Sequence, residues 1–432
     1  MGIEVENRIS VTQLQVGVYV YLDLSWMDHP FSFNNFKIRD EAQIKTIQQL
    51  GLKFVRWDPA RSAVKPLPQN TNTATEQPTE SIPDPEEISA EKKAMQAAKQ
   101  ARVEALNKHR AKLARVEQAF MHAANVVRGI SKSIYSQPEK TQEDSNSLIG
   151  QMVDQMLAAP ELAIQVMAEK PGSDDMYFHS LNVSVLSMTL AKELALPADI
   201  VRLVGMGCIF HDIGLNDIPS KILHNTGTLT KAEREFREQH CQYGFDLGKK
   251  VKLPAPVLKI IQQHHEHYDG SGYPQKIKGD AIDTLARLVA LVNAYDNLCN
   301  PVNVAQAMTP HEALSYMFAQ QRSRFDPRFL QAFIRFMGVY PPGTVVALSN
   351  EALGLVIKVN SVRPLRPTLI LYDAGIPKNE AIILDLEDEP DLNITRAIRP
   401  AQLSPTVFEY LNPRRRVSYY FDAGSSASGK GH

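Results

Sequence analysis

His264-His265-Glu266-His267-Tyr268-Asp269-Gly270-Ser271-Gly272-Tyr273-Pro274 is the stretch that decides how this chain is read. It sets two adjacent imidazoles before a glycine-rich turn that ends in Tyr-Pro. Upstream, His211-Asp212 closes the apolar run Val201 to Phe210, with His179 before it and His240 after it. Seven of the chain's 12 histidines (179, 211, 224, 240, 264, 265 and 267) fall in this one segment. A carboxylate flanked by dispersed imidazoles is what a multinuclear first-row metal site needs. Two adjacent metals sharing a water are a recurring device for hydrolysing phosphate esters. Asp212 can give one oxygen to each of two cations, whereas His211 can bind only one. Asp175 and His179 are four apart on an expected helix and share a face. His264 and His265 would point about 100° apart on a regular helix, so joint binding needs a helix end or a bend, and Asp269-Gly270-Ser271-Gly272 supplies a bend nearby. Taken alone, His211-Asp212 is an ordinary hydrogen-bonded pair and His240 less than that. The joint occurrence carries the reading, and His224, His267 and His311 are left out of it.

Around this segment the composition is that of a globular protein. The chain has 432 residues, 44% hydrophobic and 22% charged, with a formal net charge of −1. That length suits two or three domains. A charge so near zero gives no global field for a nucleic acid polymer or an anionic membrane. The three cysteines, Cys208, Cys241 and Cys299, form no CxxC motif and suit a reducing compartment. The N-terminal residues lack a signal pattern, and no run of eighteen apolar residues occurs, so a cytoplasmic protein is expected.

The rest of the chain organises around the histidine-rich segment. Residues 1–66 read as a small mixed α/β domain. Val16, Val18, Val20 and Leu22 alternate as a strand with one buried face. Arg39 to Gly51 reads as a helix closed by glycine, and Phe54 to Trp57 as a short strand. Residues 67–88, rich in Pro, Thr and Glu, read as a flexible linker. Residues 89–136 fill with Ala, Lys, Glu, Arg and Leu, the pattern of a long solvated helix. Its basic stretch, Lys108 to Arg115, reads as an exposed face. A helical stretch from Asn146 to Lys170, broken near Pro160, leads into a mostly helical domain over 137–337. Pro254-Ala255-Pro256 opens a helix ending near the paired histidines, and Arg287 to Leu298 forms another that carries Asn293 and Asp296. After Tyr340-Pro341-Pro342-Gly343 three strand-like runs begin at Thr344, Leu353 and Thr368. These predict a β-rich appendage over 338–422, followed by a disordered tail, 423–432. The expected fold is therefore mainly α, with a small α/β domain before the helical domain and a β-rich piece after it.

His211-Asp212-Ile213-Gly214, together with His264-His265-Glu266 and Asp269 to Pro274, resembles the signature of the HD-GYP family, a bacterial branch of the HD superfamily of metal-dependent phosphohydrolases. The likeness covers about residues 171–337. Val11 to Trp57, with Ser25-Trp26 and His29-Pro30-Phe31, is similar to a small domain of unknown role often found ahead of HD-GYP domains. The resemblance implies an all-helical catalytic domain with two or three divalent ions, iron or manganese. It also implies hydrolysis of cyclic dinucleotides, chiefly cyclic di-GMP, with cyclic GMP-AMP in some members. It makes His179, His211, Asp212, His240, His264 and His265 metal ligands, with Asp212 the bridging catalytic carboxylate and Asp175 a ligand for an additional ion. Tyr273 and Pro274 match the loop beside the substrate, where diguanylate cyclase (GGDEF) domains are expected to dock. Regulation or homodimerisation falls to the N-terminal domain and the long helix.

The chain departs from this pattern at four positions. Asn293 stands where the last metal-binding aspartate is implied, so that ligand keeps an oxygen but loses a charge, and its metal should bind more weakly. Asp296, three residues on, matches a different position. Leu215, Val302 and Ala305 stand where cations are implied to hold the substrate phosphates, contacts worth about 1.5–3 kcal/mol each. Two readings follow. In the preferred one the protein is a diverged hydrolase that holds its phosphates mainly through metals. In the other it is a catalytically impaired domain that acts in nucleotide binding or partner docking.

Overall fold

The structure, a computed structural model, describes residues 7–24, 29, 31, 34–68, 85–155, 162–163, 175–225, 227–301, 306–360, 362–399 and 402–411. Expectations for Ser25-Trp26, most of the 67–88 linker, Pro160, Val302, Ala305 and the tail from 423 fall outside these residues. The chain divides into two compact units, one built on residues 1–108 and the other on most of 109–432.

The first unit carries a four-stranded antiparallel sheet in the order β1-β4-β2-β3, from Arg8–Ser10 (β1), Tyr19–Tyr21 (β2), Asn35–Lys37 (β3) and Phe54–Trp57 (β4). Helix α1, Glu41–Gln49, starts at Asp40, whose side chain accepts the backbone N–H of Gln43. Val18, Val20, Leu22, Ile38, Ile47 and Val55 form the core. Of the positions expected to alternate, Val18, Val20 and Leu22 are buried, but Tyr19 between them is buried too. Val16 is 40% exposed, because Gly17 turns the chain (φ +98°) just ahead of the strand.

The long helix α2 spans Pro85–Ser133, running from the first unit into the second, so it begins inside the segment expected to be linker. Its composition favours helix throughout, but the expectation of a solvated helix fails from the fully buried Leu106 onward. Leu113, Val116, Phe120, Ala123, Val127 and Ile130 form a buried stripe at helical spacing in the main core. Charged residues between them mask the stripe in composition. Helix α3, Pro138–Gln155, follows. Helices α4 (Asp175–Glu193), α5 (Ala198–Phe210), α6 (Lys231–Glu238), α7 (His240–Lys250), α8 (Ala255–Gln263), α9 (Thr284–Cys299), α10 (Pro310–Gln320) and α11 (Pro327–Met337) build the helical domain. α4 packs on α5 and α9, and α8 on α5, α7 and α9. The strand-like runs after Gly343 form β5 (Val345–Leu348), β6 (Leu353–Lys358) and β7 (Thr368–Leu371). With β8 (Ile383–Asp385) and β9 (Ile394–Ile398) they make a five-stranded sheet in the order β8-β7-β6-β5-β9. No described helix is long and apolar enough to cross a membrane.

Candidate metal centre

Three helix ends and one helix face bring the histidines together. His211 caps the C-terminal end of α5 and Asp212 begins the turn after it. His240 opens α7, His264 caps α8, and His179 lies one turn into α4. Gly214 permits the junction. A Cβ there would lie 2.0 Å from the His240 carbonyl oxygen and 2.5 Å from the Gly244 nitrogen. Only glycine lets the turn after Asp212 rest against the start of α7. Because α8 stops at Gln263, the two adjacent imidazoles escape helical divergence and both join one group of donors.

Two such groups share Asp212. One unites Asp212, His240, His264 and His265; the other unites His179, His211 and Asp212. Asp212 Oδ1 lies 3.3 Å from His240 Nε2 and 3.5 Å from His264 Nε2. Its Oδ2 lies 3.3 Å from His211 Nε2 and 3.8 Å from His179 Nε2. The carboxylate thus turns one oxygen to each group.

The donor chemistry fits divalent cations. His211, His240 and His264 each direct Nδ1 at a carbonyl oxygen three residues earlier, on Cys208 (2.7 Å), Arg237 (2.7 Å) and Ile261 (2.9 Å). A carbonyl can only accept, so Nδ1 carries the proton, and in a neutral ring Nε2 is a bare lone pair. These lone pairs face one another: His240 and His264 Nε2 are 3.3 Å apart, as are those of His211 and His179. Nitrogen pairs at that spacing suit neighbouring positions around one metal ion. Burial opposes ionisation of Asp212, but His211, His240 and His264 outweigh it and hold the carboxyl well below its usual range. Burial, with the His211 and His240 rings beside it, brings His264 down to about 4 despite Asp212. His265 is likewise pushed well down by burial and its imidazole neighbours, which leaves both rings neutral.

His179 is held differently. Its Nδ1 lies 2.6 Å from Asp296 Oδ2, while Asp296 Oδ1 accepts from Asn182 Nδ2 (2.9 Å) and Asn300 Nδ2 (2.7 Å). Asp296 therefore orients His179 and joins neither donor group. Sequence reading set it aside, although its position one helical turn from Asn293 was the available signal. Asn293 is buried, hydrogen-bonds to His179 and accepts Asn297 Nδ2 at 2.9 Å. The Asp175 side chain lies outside the described residues.

The loop after the paired histidines closes over them. Tyr273 stacks on His265 with ring centroids 4.5 Å apart, and its N–H donates to the His265 carbonyl at 3.1 Å. Pro274 follows it directly. Gly272 passes so close to the main chain that a Cβ would sit 2.3 Å from His267 N. Glu266, buried beneath the loop, accepts the N–H groups of Gln275 (2.6 Å) and Lys276 (3.1 Å) through Oε1. Sequence reading gave Glu266 no role. His267 turns its Nδ1 to Ser271 Oγ and belongs to neither group. Leu215 is buried, at 7% exposure.

A helical domain whose loops and helix ends gather imidazoles around one shared carboxylate is the architecture of a metal-dependent phosphohydrolase. Residues 151–329 match the family described as HD domain. Residues 6–145 match a domain of unknown function, DUF3391, and residues 345–405 match a KOW domain associated with HD domain. Residues 151–329 thus carry an HD domain, and His211-Asp212 with His264 to Pro274 resemble the signature of the HD-GYP branch. It is 29% identical over 376 residues to cyclic di-GMP phosphodiesterase PA4108 of Pseudomonas aeruginosa, covering 85% of each chain. It is 36% identical over 148 residues to the cyclic di-GMP phosphodiesterase response regulator RpfG of Xanthomonas campestris, covering 34% of this chain and 39% of that one. It is 27% identical over 189 residues to 3'3'-cGAMP-specific phosphodiesterase 2 of Vibrio cholerae, covering 43% and 36% respectively.

Proposed function

We propose that this protein is a metal-dependent phosphodiesterase that opens a cyclic dinucleotide, with cyclic di-GMP and 3'3'-cyclic GMP-AMP as the two substrates to separate. The observation that carries the reading is the sharing of Asp212 between two groups of imidazole donors. Divalent cations held there, iron or manganese, would neutralise the phosphate and activate water for attack on phosphorus. His179, His211 and Asp212 would hold one ion and Asp212, His240, His264 and His265 the other, with Asn293 a neutral addition to the first and Asp175 available to a third. The main-chain clamps on three of the imidazoles fix the donors in place beforehand. Tyr273, kept protonated by a pKa that burial pushes well above its usual range, would offer its hydroxyl as a donor beside the substrate, with Pro274 shaping the same wall. The impaired alternative finds no support in relatives that are themselves named phosphodiesterases. A cytoplasmic location and docking of GGDEF domains on the Tyr273-Pro274 loop accompany the proposal.

The test is hydrolysis of a cyclic dinucleotide panel by protein loaded with manganese, or with ferrous iron without oxygen. Turnover that vanishes in Asp212→Ala is the expected result. A panel left intact under every metal would sink the proposal.

A further inference from the structure

Arg237 lies in the last turn of α6. Its carbonyl oxygen is the acceptor that fixes His240 Nδ1 at 2.7 Å, so its main chain is tied to the Asp212, His240, His264 and His265 group. Its side chain is half-buried, yet among the described residues it makes no ion pair and no side-chain hydrogen bond. Tyr273 stands edge-on to the His240 ring, with centroids 6.4 Å apart, and Glu238 follows Arg237 directly in the chain. The other guanidinium groups nearby are engaged or face elsewhere. Arg287 is held between Asp280 (2.6 Å) and Asp326 (3.0 Å). Arg128 lies over the Tyr177 ring. Arg324 acts on His267, which faces Ser271. Position 215, next to the other side of the centre, is a buried leucine.

We propose that Arg237 is the substrate-binding cation of this site, gripping a phosphate of the dinucleotide between the His240 group and Tyr273. A half-buried guanidinium without a partner, beside a centre that handles phosphodiesters, supplies the fork that such an anion takes. Glu238 sets a limit on that affinity through its opposite charge. The inference rests on the phosphodiesterase reading.

Steady-state kinetics on cyclic di-GMP with the manganese-loaded full chain tests it. Arg237→Gln should raise KM about ten- to a hundredfold, the worth of one charge-assisted hydrogen bond, with kcat changed by less than about threefold. Arg237→Lys should recover part of the loss, and Glu238→Gln should lower KM. Metal content, measured in parallel, should equal that of the wild type. An unchanged KM overturns the assignment, as does a fall in kcat that tracks lost metal, which would reduce Arg237 to a support for His240. If the wild type turns nothing over, the phosphodiesterase reading has failed and calorimetric titration with cyclic di-GMP decides on Arg237 alone. Weaker binding in Arg237→Gln than in the wild type supports the site; equal or absent binding overturns it.

Discussion

Asp296 accepts three donors, the imidazole of His179 and the amides of Asn182 and Asn300, through two oxygens. An amide cannot do this, because one of its two ends would present N–H to a donor. Asp296→Asn should therefore tilt His179 and weaken metal binding in the His179, His211 and Asp212 group by about 10–100-fold, while the other group keeps its ion. Metal titration followed by elemental analysis reads both. Asn293→Asp is the opposite experiment. It adds a charge against His179 and should raise metal occupancy of the same group and the rate with it. If neither moves, Asn293 is no part of that ligand set. The histidines themselves were legible in the sequence because dispersed imidazoles around one carboxylate have few other uses. Asp296 and Glu266 were not, because a residue that positions another has no spacing of its own: Asp296 meets His179 across 117 positions. Arg237 escaped notice because one arginine among the charges of a polar helix looks like solvated surface.

The elements add constraints that no single ligand shows. Gly214→Ala would drive a methyl group into the His240 carbonyl, so the turn after Asp212 and the start of α7 would have to part. We expect a loss of about 1–3 kcal/mol in stability, the usual range for overpacking, and a fall in metal content larger than any loss of helix. Thermal unfolding with circular dichroism separates these outcomes. Element type was readable wherever periodicity was strong. α8 ends at the paired histidines and α9 carries Asn293 and Asp296, as their apolar patterns predict. The buried stripe of α2 was missed because its apolar residues are diluted by Lys, Arg and Glu. The strand expected from Val16 begins three residues later because a glycine with positive φ intervenes.

At the scale of the whole molecule, the centre draws its donors from α4, the start of α7 and the ends of α5 and α8. Cations held there would tie these helices to the folded state, and any ligand that prefers the folded state stabilises it by mass action. Removing metal with a chelator should lower the unfolding temperature by several degrees, since a ligand at 100 times its Kd contributes about 2.7 kcal/mol. Manganese or ferrous iron should restore it, and the Asp212→Ala protein should respond to neither. The clamps on the imidazoles carry a consequence for how such a centre decays under mutation. His211, His240 and His264 are held by main-chain carbonyls, which no codon change can delete. His179 is held by a side chain, and its neighbour at 293 has already lost a charge. A saturation library should therefore collect more of its silent losses on the His179 side, at Asp296 and Asn293, while on the His240 side the sensitive positions are the ligands themselves and close-packed points such as Gly214. The two halves of the centre have unequal genetic lifetimes.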